Sequence, residues 1–299
     1  MRRCVDGERS DPVCRSRAVV RQAIQTLCLF ERFCAGSLPV VAYAWRMTQA
    51  RSPVNLVSHH VACTLQRIGW QVSALVLLCA GLNVQAAPIL SPATTAAQAG
   101  LVNVQGLAPE IAVDMRYAGS NNFTGHVVPG YEAPTCYLLR PAAEALARVA
   151  RSLKAQGYRL QVFDCYRPVR AVQAFVAWAA DLQDQSTKAQ YYPRVDKRAL
   201  LGDYIAETSG HSRGATLDLG LLDCRQGPCQ PVAMGTDFDF FDARAHTDAR
   251  DISPAQRAHR QQLLRAMAAE GFANYPMEWW HFTFRPEPMP DTAFDVPVN

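Results

Sequence analysis

Apolar positions in the second two-thirds of this chain change period repeatedly, and each change marks an element. Ile111–Tyr117 reads as a short strand. In Pro141–Lys154, the residues Ala142, Leu146, Val149, Ala150 and Leu153 recur at helical spacing, and Gly157 supplies a stop. Tyr158–Asp164 reads as a strand. Pro168 suits the first turn of a second helix, which runs to about Leu182. Gln183–Gly210 is long and polar around Tyr191-Tyr192-Pro193, and predicts an irregular loop walling a cleft. Ala215–Leu222 is a strand and Phe238–Phe241 begins another loop segment. Ser253-Pro254 opens a helix to about Ala269, ended by Gly271, and Glu278–Phe284 closes as a strand. There is no internal repeat. The pattern predicts a single α+β domain, with helices packed on a largely antiparallel sheet.

The first part of the chain reads differently. Residues 1–66 show no clear period. Cys4, Cys14, Cys28, Cys34 and Cys63 lack C-x-x-C spacing, which argues against a metal cluster there. Arg67 precedes a short apolar run, Val72–Leu82, too short to span a bilayer comfortably. Val84-Gln85-Ala86 then offers small residues where a signal peptidase reads. Residues 67–86 are therefore expected to be a secretory signal peptide cleaved near Ala86, which directs the protein to the periplasm or outside the cell. Lipid attachment at Cys79 is the poorer reading, because bulky Leu78 precedes it. A leader so far along implies that residues 1–46 of the 1–66 extension are not translated, with Met47 or a later start in use. Residues 87–101, small and polar, predict a linker to a domain over 102–299.

Composition adds limits. Hydrophobic residues make up 49% and charged residues 19% of the 299, which suits a globular chain. A net charge of +4, with no basic run interleaved with aromatics, argues against nucleic acid as a partner. Four cysteines remain after the expected cleavage point, and an even count in an oxidising compartment suggests disulfides. Cys224 and Cys229 fit a tight hairpin clamp, which leaves Cys136 with Cys165; four free buried thiols are the alternative.

Candidate chemistry gathers in two stretches. Ser209-Gly210-His211-Ser212-Arg213-Gly214 is a turn that can aim His211 into a cleft, and Asp218 follows inside an apolar strand. A carboxylate there is costly unless it is paired or bound to metal. The second stretch is Glu278-Trp279-Trp280-His281. Glu278 and His281 would fall on opposite faces of a regular strand, so Glu278 is expected just before the strand or beside a bulge. Two imidazoles, one carboxylate in ligand range and a spare carboxylate suit a catalytic zinc site with an open position and a base beside it.

S-x-H-S-R-G-x-x-x-D followed by E-W-W-H resembles the zinc-dependent D-alanyl-D-alanine dipeptidases of the vancomycin-resistance type. Asp114-Met115-Arg116-Tyr117-Ala118 with Asn122-Phe123-Thr124-Gly125, Asp164-Cys165-Tyr166-Arg167-Pro168, Met234-Gly235, Phe238-Asp239-Phe240 and Phe294-Asp295-Val296-Pro297 resemble further family segments, in the family's order. The resemblance implies one Zn2+ per chain on His211, Asp218 and His281, in a cleft at the sheet. It implies Glu278 as general base and then acid, and Arg167 as the group stabilising the oxyanion. It puts the substrate ammonium at Asp239 and Tyr117, and the carboxylate end near Ser209. Asp237 and Asp242 are flanking decoys, His126 and His246 are not expected as ligands, and His59 and His60 precede the leader. Arg167 paired only with Asp164, or Asp239 as a simple turn residue, are the bland readings of those positions.

The expected activity is hydrolysis of the dipeptide D-Ala-D-Ala in cell-wall turnover. The alternative is a D,D- or L,D-carboxypeptidase or endopeptidase on peptidoglycan stem peptides, and a non-catalytic zinc-binding recognition domain is third. Glu278 and Arg167 argue against the third, because a structural zinc needs neither. Nothing in the chain implies a stable protein partner.

Overall fold

The structure, a computed structural model, describes residues 88–299. The extension, the leader, its cleavage point, the five early cysteines, His59 and His60 lie outside the described residues. Ten strands and four helices follow one another: β1 (Ile89–Leu90), β2 (Leu101–Asn103), β3 (Ala112–Val113), β4 (Tyr137–Leu139), α1 (Arg140–Lys154), β5 (Tyr158–Asp164), α2 (Val169–Ala180), α3 (Lys188–Tyr191), β6 (Thr216–Asp223), β7 (Gln230–Pro231), α4 (Pro254–Ala268), β8 (Phe272–Asn274), β9 (His281–Phe284) and β10 (Thr292–Ala293).

The main sheet runs β3-β5-β6-β9-β8, with β7 beside β6. Only the β3–β5 pairing is parallel; the others are antiparallel. Two small sheets stand apart, β1 with β10 in parallel and β2 with β4 antiparallel. The α+β architecture on a largely antiparallel sheet is thus the one the periodicity predicts. Along β6 the side chains alternate, so Leu217, Leu219 and Leu221 share one face and Thr216, Asp218 and Gly220 the other. α1 buries Ala142, Leu146, Val149, Ala150 and Leu153 against β5 and α4, as its spacing predicts. Ser253 caps α4 reciprocally with Gln256, and Pro254 occupies its first turn.

Register fixes what the sheet carries. Asp164 of β5 stands opposite Asp218 of β6, and Asp218 stands opposite His281 of β9. Three polar side chains therefore form a row across the three central strands. Gly220, next on that face of β6, leaves room for the Phe163 ring, which a Cβ would approach at 3.2 Å.

The structure departs from the sequence expectations at four places. Residues 111–117 are strand only at β3, and Arg116–Ala118 form a 3-10 turn. That turn swings Tyr117 inward, where its hydroxyl donates to buried Asp239 at 2.8 Å. The 87–101 stretch is no free linker from residue 88 on. Ile89 and Leu90 pair with Thr292 and Ala293, and Leu101 is buried against Leu139 at the start of β2. The 183–210 stretch holds α3 and has packing of its own: Tyr191, Tyr192, Leu200 and Ile205 are buried. Buried Lys197 sits 3.8 Å from the Trp178 ring centroid and donates to the Asp184 carbonyl. Finally, β8 is a strand that the pattern leaves unmarked, because three residues after a helix stop show no period.

One buried cation secures the loop that carries Asp239. Arg260 of α4 is 1% exposed and donates to the carbonyls of Met234, His246 and Arg244 at 2.6, 2.6 and 2.8 Å. Arg260→Leu leaves those carbonyls without a donor. At ~1–3 kcal/mol for each group left unpaired, the loss is expected to be roughly 3–5 kcal/mol after local relaxation. Urea unfolding checks it; an unchanged midpoint refutes this role for Arg260.

Candidate metal centre

His211 stands on a 3-10 turn, Gly210–Arg213, whose start is capped by the Ser209 hydroxyl accepting from the His211 amide at 3.2 Å. Gly214 ends the turn at φ 71°, and a Cβ there would lie 2.8 Å from a Leu101 methyl. The chain can reverse into β6 here only with glycine. His211 Nδ1 lies 2.7 Å from the Cys165 carbonyl oxygen. A carbonyl only accepts, so Nδ1 carries the proton and Nε2 offers a lone pair to the cleft.

Asp218 follows two residues into β6 and is buried. Its carboxylate lies 3.4 Å from His211 Nε2 and 3.1 Å from His281 Nδ1. The two ring nitrogens are themselves 3.2 Å apart. Burial alone would push the Asp218 carboxyl up, but the two imidazoles outweigh it and hold it well below the usual carboxylate range. Its Oδ1 is buried and accepts no hydrogen bond. One donor atom from each of His211, Asp218 and His281 lies within 4.8 Å of the others. Converging lone pairs with an orphaned carboxylate oxygen fit a metal ion with N/O ligands at ~2.0–2.2 Å.

Glu278 lies in the turn between β8 and β9, just before the strand. Its carbonyl accepts from the His281 amide, and Asn274 donates to the same oxygen. The turn resolves the three-residue spacing, placing the Glu278 carboxylate 3.4 Å from His281 Nδ1. Burial raises the Glu278 carboxyl to about 7, against the opposing pull of His281. A carboxyl poised there can exchange protons at neutral pH.

Arg167 does two things at once. Its Nε donates to Asp164 at 2.9 Å and its Nη2 reaches Asp218 at 3.5 Å. The guanidinium lies over the rings of Phe175 and Tyr117, at 4.9 and 5.2 Å from their centroids. So the Asp164 pair exists, and it aims the cation into the cleft.

Asp239 lies in the same cleft, in the left-handed region at φ 58°. Burial first, and then the Asp218 charge, push its carboxyl far above the usual range. Its hydrogen bond from Tyr117 supplies no charge, and no cationic side chain pairs with it among the described residues. Ser209 lines the cleft as well, which has a volume of about 300 Å³. All eight expected catalytic, metal and substrate residues therefore meet in one cavity. Cys136 is bonded to Cys165, and Cys224 to Cys229.

Two contributors are invisible to sequence spacing. Tyr131 donates its hydroxyl to Asp164 Oδ1 at 2.6 Å, fixing the carboxylate that holds Arg167. Cys165 acts through its backbone carbonyl, which no side-chain motif reports.

A family model described as D-ala-D-ala dipeptidase matches residues 97–299. A D-alanyl-D-alanine dipeptidase of Streptomyces coelicolor is 42% identical over 196 residues, which is 65% of this chain and 96% of that protein. One of Enterococcus faecium is 41% identical over 187 residues, 62% of this chain and 92% of the relative. One of Escherichia coli is 32% identical over 182 residues, 61% and 83% of the two. Among solved structures, a vancomycin-resistance D,D-pentapeptidase in complex with Zn(II) is similar at 15% identity and a TM-score of 0.31, covering 50% of this chain and 73% of that one.

The Cys136–Cys165 bond anchors the residue whose carbonyl orients His211. A chain with both cysteines changed to alanine is expected to bind a divalent metal more weakly by ~10–100-fold, the usual effect of loosening an outer partner of a ligand. Changing Cys224 and Cys229 instead should leave affinity alone. Competition with a chromophoric chelator measures both; equal affinities in the two variants count against the orienting role.

Proposed function

Because the chain belongs to the D-Ala-D-Ala dipeptidase family of metallopeptidases, we propose that it is a zinc enzyme that hydrolyses free D-Ala-D-Ala. One zinc per chain, held by His211, Asp218 and His281, supplies the Lewis acid that makes water acidic enough to attack at neutral pH, with a pKa of ~7. Glu278 takes the proton as the water oxygen bonds to the peptide carbon, and returns it to the nitrogen as the C–N bond breaks. Arg167 faces the carbonyl oxygen as negative charge grows there. Its aim is set beforehand by Asp164 and the two aromatic rings, so little reorganisation accompanies the step.

The observation that carries the dipeptide reading is the amine end of the cleft. Asp239 is buried there with Tyr117, Phe123 and Phe241, all 5% exposed or less. A buried carboxylate without a cation is costly, and a substrate ammonium removes that cost. A peptide extended at its N-terminus brings a neutral amide instead, and must find room among buried rings. This favours the free dipeptide over peptidoglycan stems. With the leader over 67–86 removed near Ala86, the enzyme works in the periplasm or outside the cell, on dipeptide released from the wall.

Three measurements test this. The full chain should cleave D-Ala-D-Ala and not its N-acetyl derivative, and a chelator should abolish cleavage; equal cleavage of the blocked substrate moves the assignment to a carboxypeptidase. Glu278→Ala should lower kcat by about 10²–10⁴-fold with zinc still bound, and a fully active variant sinks the base assignment. Intact mass of the natural protein should show a start after Ala86; a mature form retaining residues 1–46 refutes the leader.

A further inference from the structure

A second cavity lies back to back with the catalytic cleft. It measures about 570 Å³, and three stretches of chain line the two spaces alternately. Arg116 lines the second cavity and Tyr117 the cleft. Asp237 and Phe238 line the second cavity, and Asp239 the cleft. Trp279 lines the second cavity, between Glu278 and Trp280 of the cleft. The partition is aromatic: Phe238 stacks on Phe163 at 5.0 Å between centroids and meets the Trp280 ring edge-on at 5.6 Å.

Four charged side chains line the second cavity: Asp114, Arg116, Asp237 and Arg244. Two of them satisfy each other, since Arg116 Nε donates to Asp114 at 2.8 Å. The other two have no such mate. Arg244 lies over the Phe240 ring, 5.0 Å from its centroid. The carboxylate beside it, Asp242, already accepts from Nε and Nη2 of Arg194 and from the Arg244 amide. Arg244 Nε is buried 3.5 Å from that carboxylate and makes no hydrogen bond. Asp237 is exposed and pairs with no cation among the described residues. A buried donor left unmade is costly. A cavity of this size with one unmatched charge of each sign fits a ligand that carries both.

We propose that this cavity is an effector site for an amino-acid zwitterion, with its carboxylate on Arg244 and its ammonium on Asp237, and that its occupancy weakens substrate binding in the cleft. D-alanine, released in the proposed reaction, is the zwitterion at hand, and that choice of ligand rests on the dipeptidase reading. The space is larger than one alanine, so the two charges and not the walls select the ligand. The sign of the coupling follows from position. Asp237 is two residues from Asp239, so an ammonium held there opposes the substrate ammonium at Asp239. The partition between them is apolar, and charges are screened less across it than in water. Effector and substrate occupy different cavities, so KM rises to a plateau and not without limit.

The test titrates D-alanine into the zinc-loaded full chain by calorimetry, in wild type, Arg244→Gln and Asp237→Asn. It also follows KM for D-Ala-D-Ala against added D-alanine. Neither side chain makes a hydrogen bond among the described residues, so both variants should fold and keep wild-type turnover when no D-alanine is added. Wild type should show a binding phase that each variant weakens at least about tenfold, the usual effect of losing a charged hydrogen bond. Its KM should rise about fivefold or more to a plateau, and the plateau should vanish in the variants. Equal affinity in all three chains, or a KM that climbs linearly and alike in all three, puts D-alanine in the cleft alone and overturns the effector site, as does a wild type that binds none. Binding lost in Arg244→Gln, in a chain whose wild type cleaves no dipeptide, keeps the site and overturns the dipeptidase reading instead.

Discussion

Two aspartates stand side by side in the middle of this sheet, and most of the site follows from keeping them there. Asp164 and Asp218 are opposite each other on neighbouring strands, at 0% and 2% exposure. Buried like charges at adjacent register positions repel and lose their hydration together. Each needs a partner that the other does not consume. Arg167 bridges them, with Nε on Asp164 and Nη2 toward Asp218. Tyr131 completes Asp164, and the imidazoles of His211 and His281 face Asp218. One oxygen of Asp218 still accepts nothing. The remaining deficit is electrostatic and local, which is what a divalent cation satisfies.

The ends of the described chain serve the same arrangement. The Phe294 amide donates to the Ser212 carbonyl beside His211, and the Val169 amide donates to the Phe294 carbonyl beside the Arg167 turn. The Val296 carbonyl accepts from Tyr166, and Val298 pairs with Tyr131. A single extended tail thereby ties together the segments that carry a ligand, the cation and the tyrosine on Asp164. At the other end, Leu101 packs over Gly214. Four separate stretches of chain thus meet the His211 turn, through Leu101, Leu139, Arg167 and Phe294.

What could be seen in the sequence divides along physical lines. α1, β5, α2, β6 and α4 were legible, because each is long enough for its period to show and most carry a proline or glycine stop. The four residues of the candidate metal centre are legible too, since His211, Asp218, Glu278 and His281 are costly in apolar surroundings without a purpose. β8 and the two-strand sheets were not, because strands of two or three residues have no period. The pattern places Tyr117 in a strand, yet its backbone turns and its hydroxyl donates to buried Asp239, 122 residues away in sequence. Leu101 read as linker because its partners, Leu139 and Gly214, are distant in sequence. The Cys165 carbonyl had no signal at all: every residue owns one, and only the fold says which of them meets an imidazole.

The charge pattern of the cleft is uneven. Asp218, Glu278 and Asp239 line the cavity, and Arg167 is the one guanidinium there. The His211, Asp218 and His281 group could hold a divalent cation, whereas no cationic side chain among the described residues pairs with Asp239. The cleft therefore makes two separate demands for positive charge, one at the candidate metal group and one at Asp239, and its own single guanidinium is already engaged by Asp164.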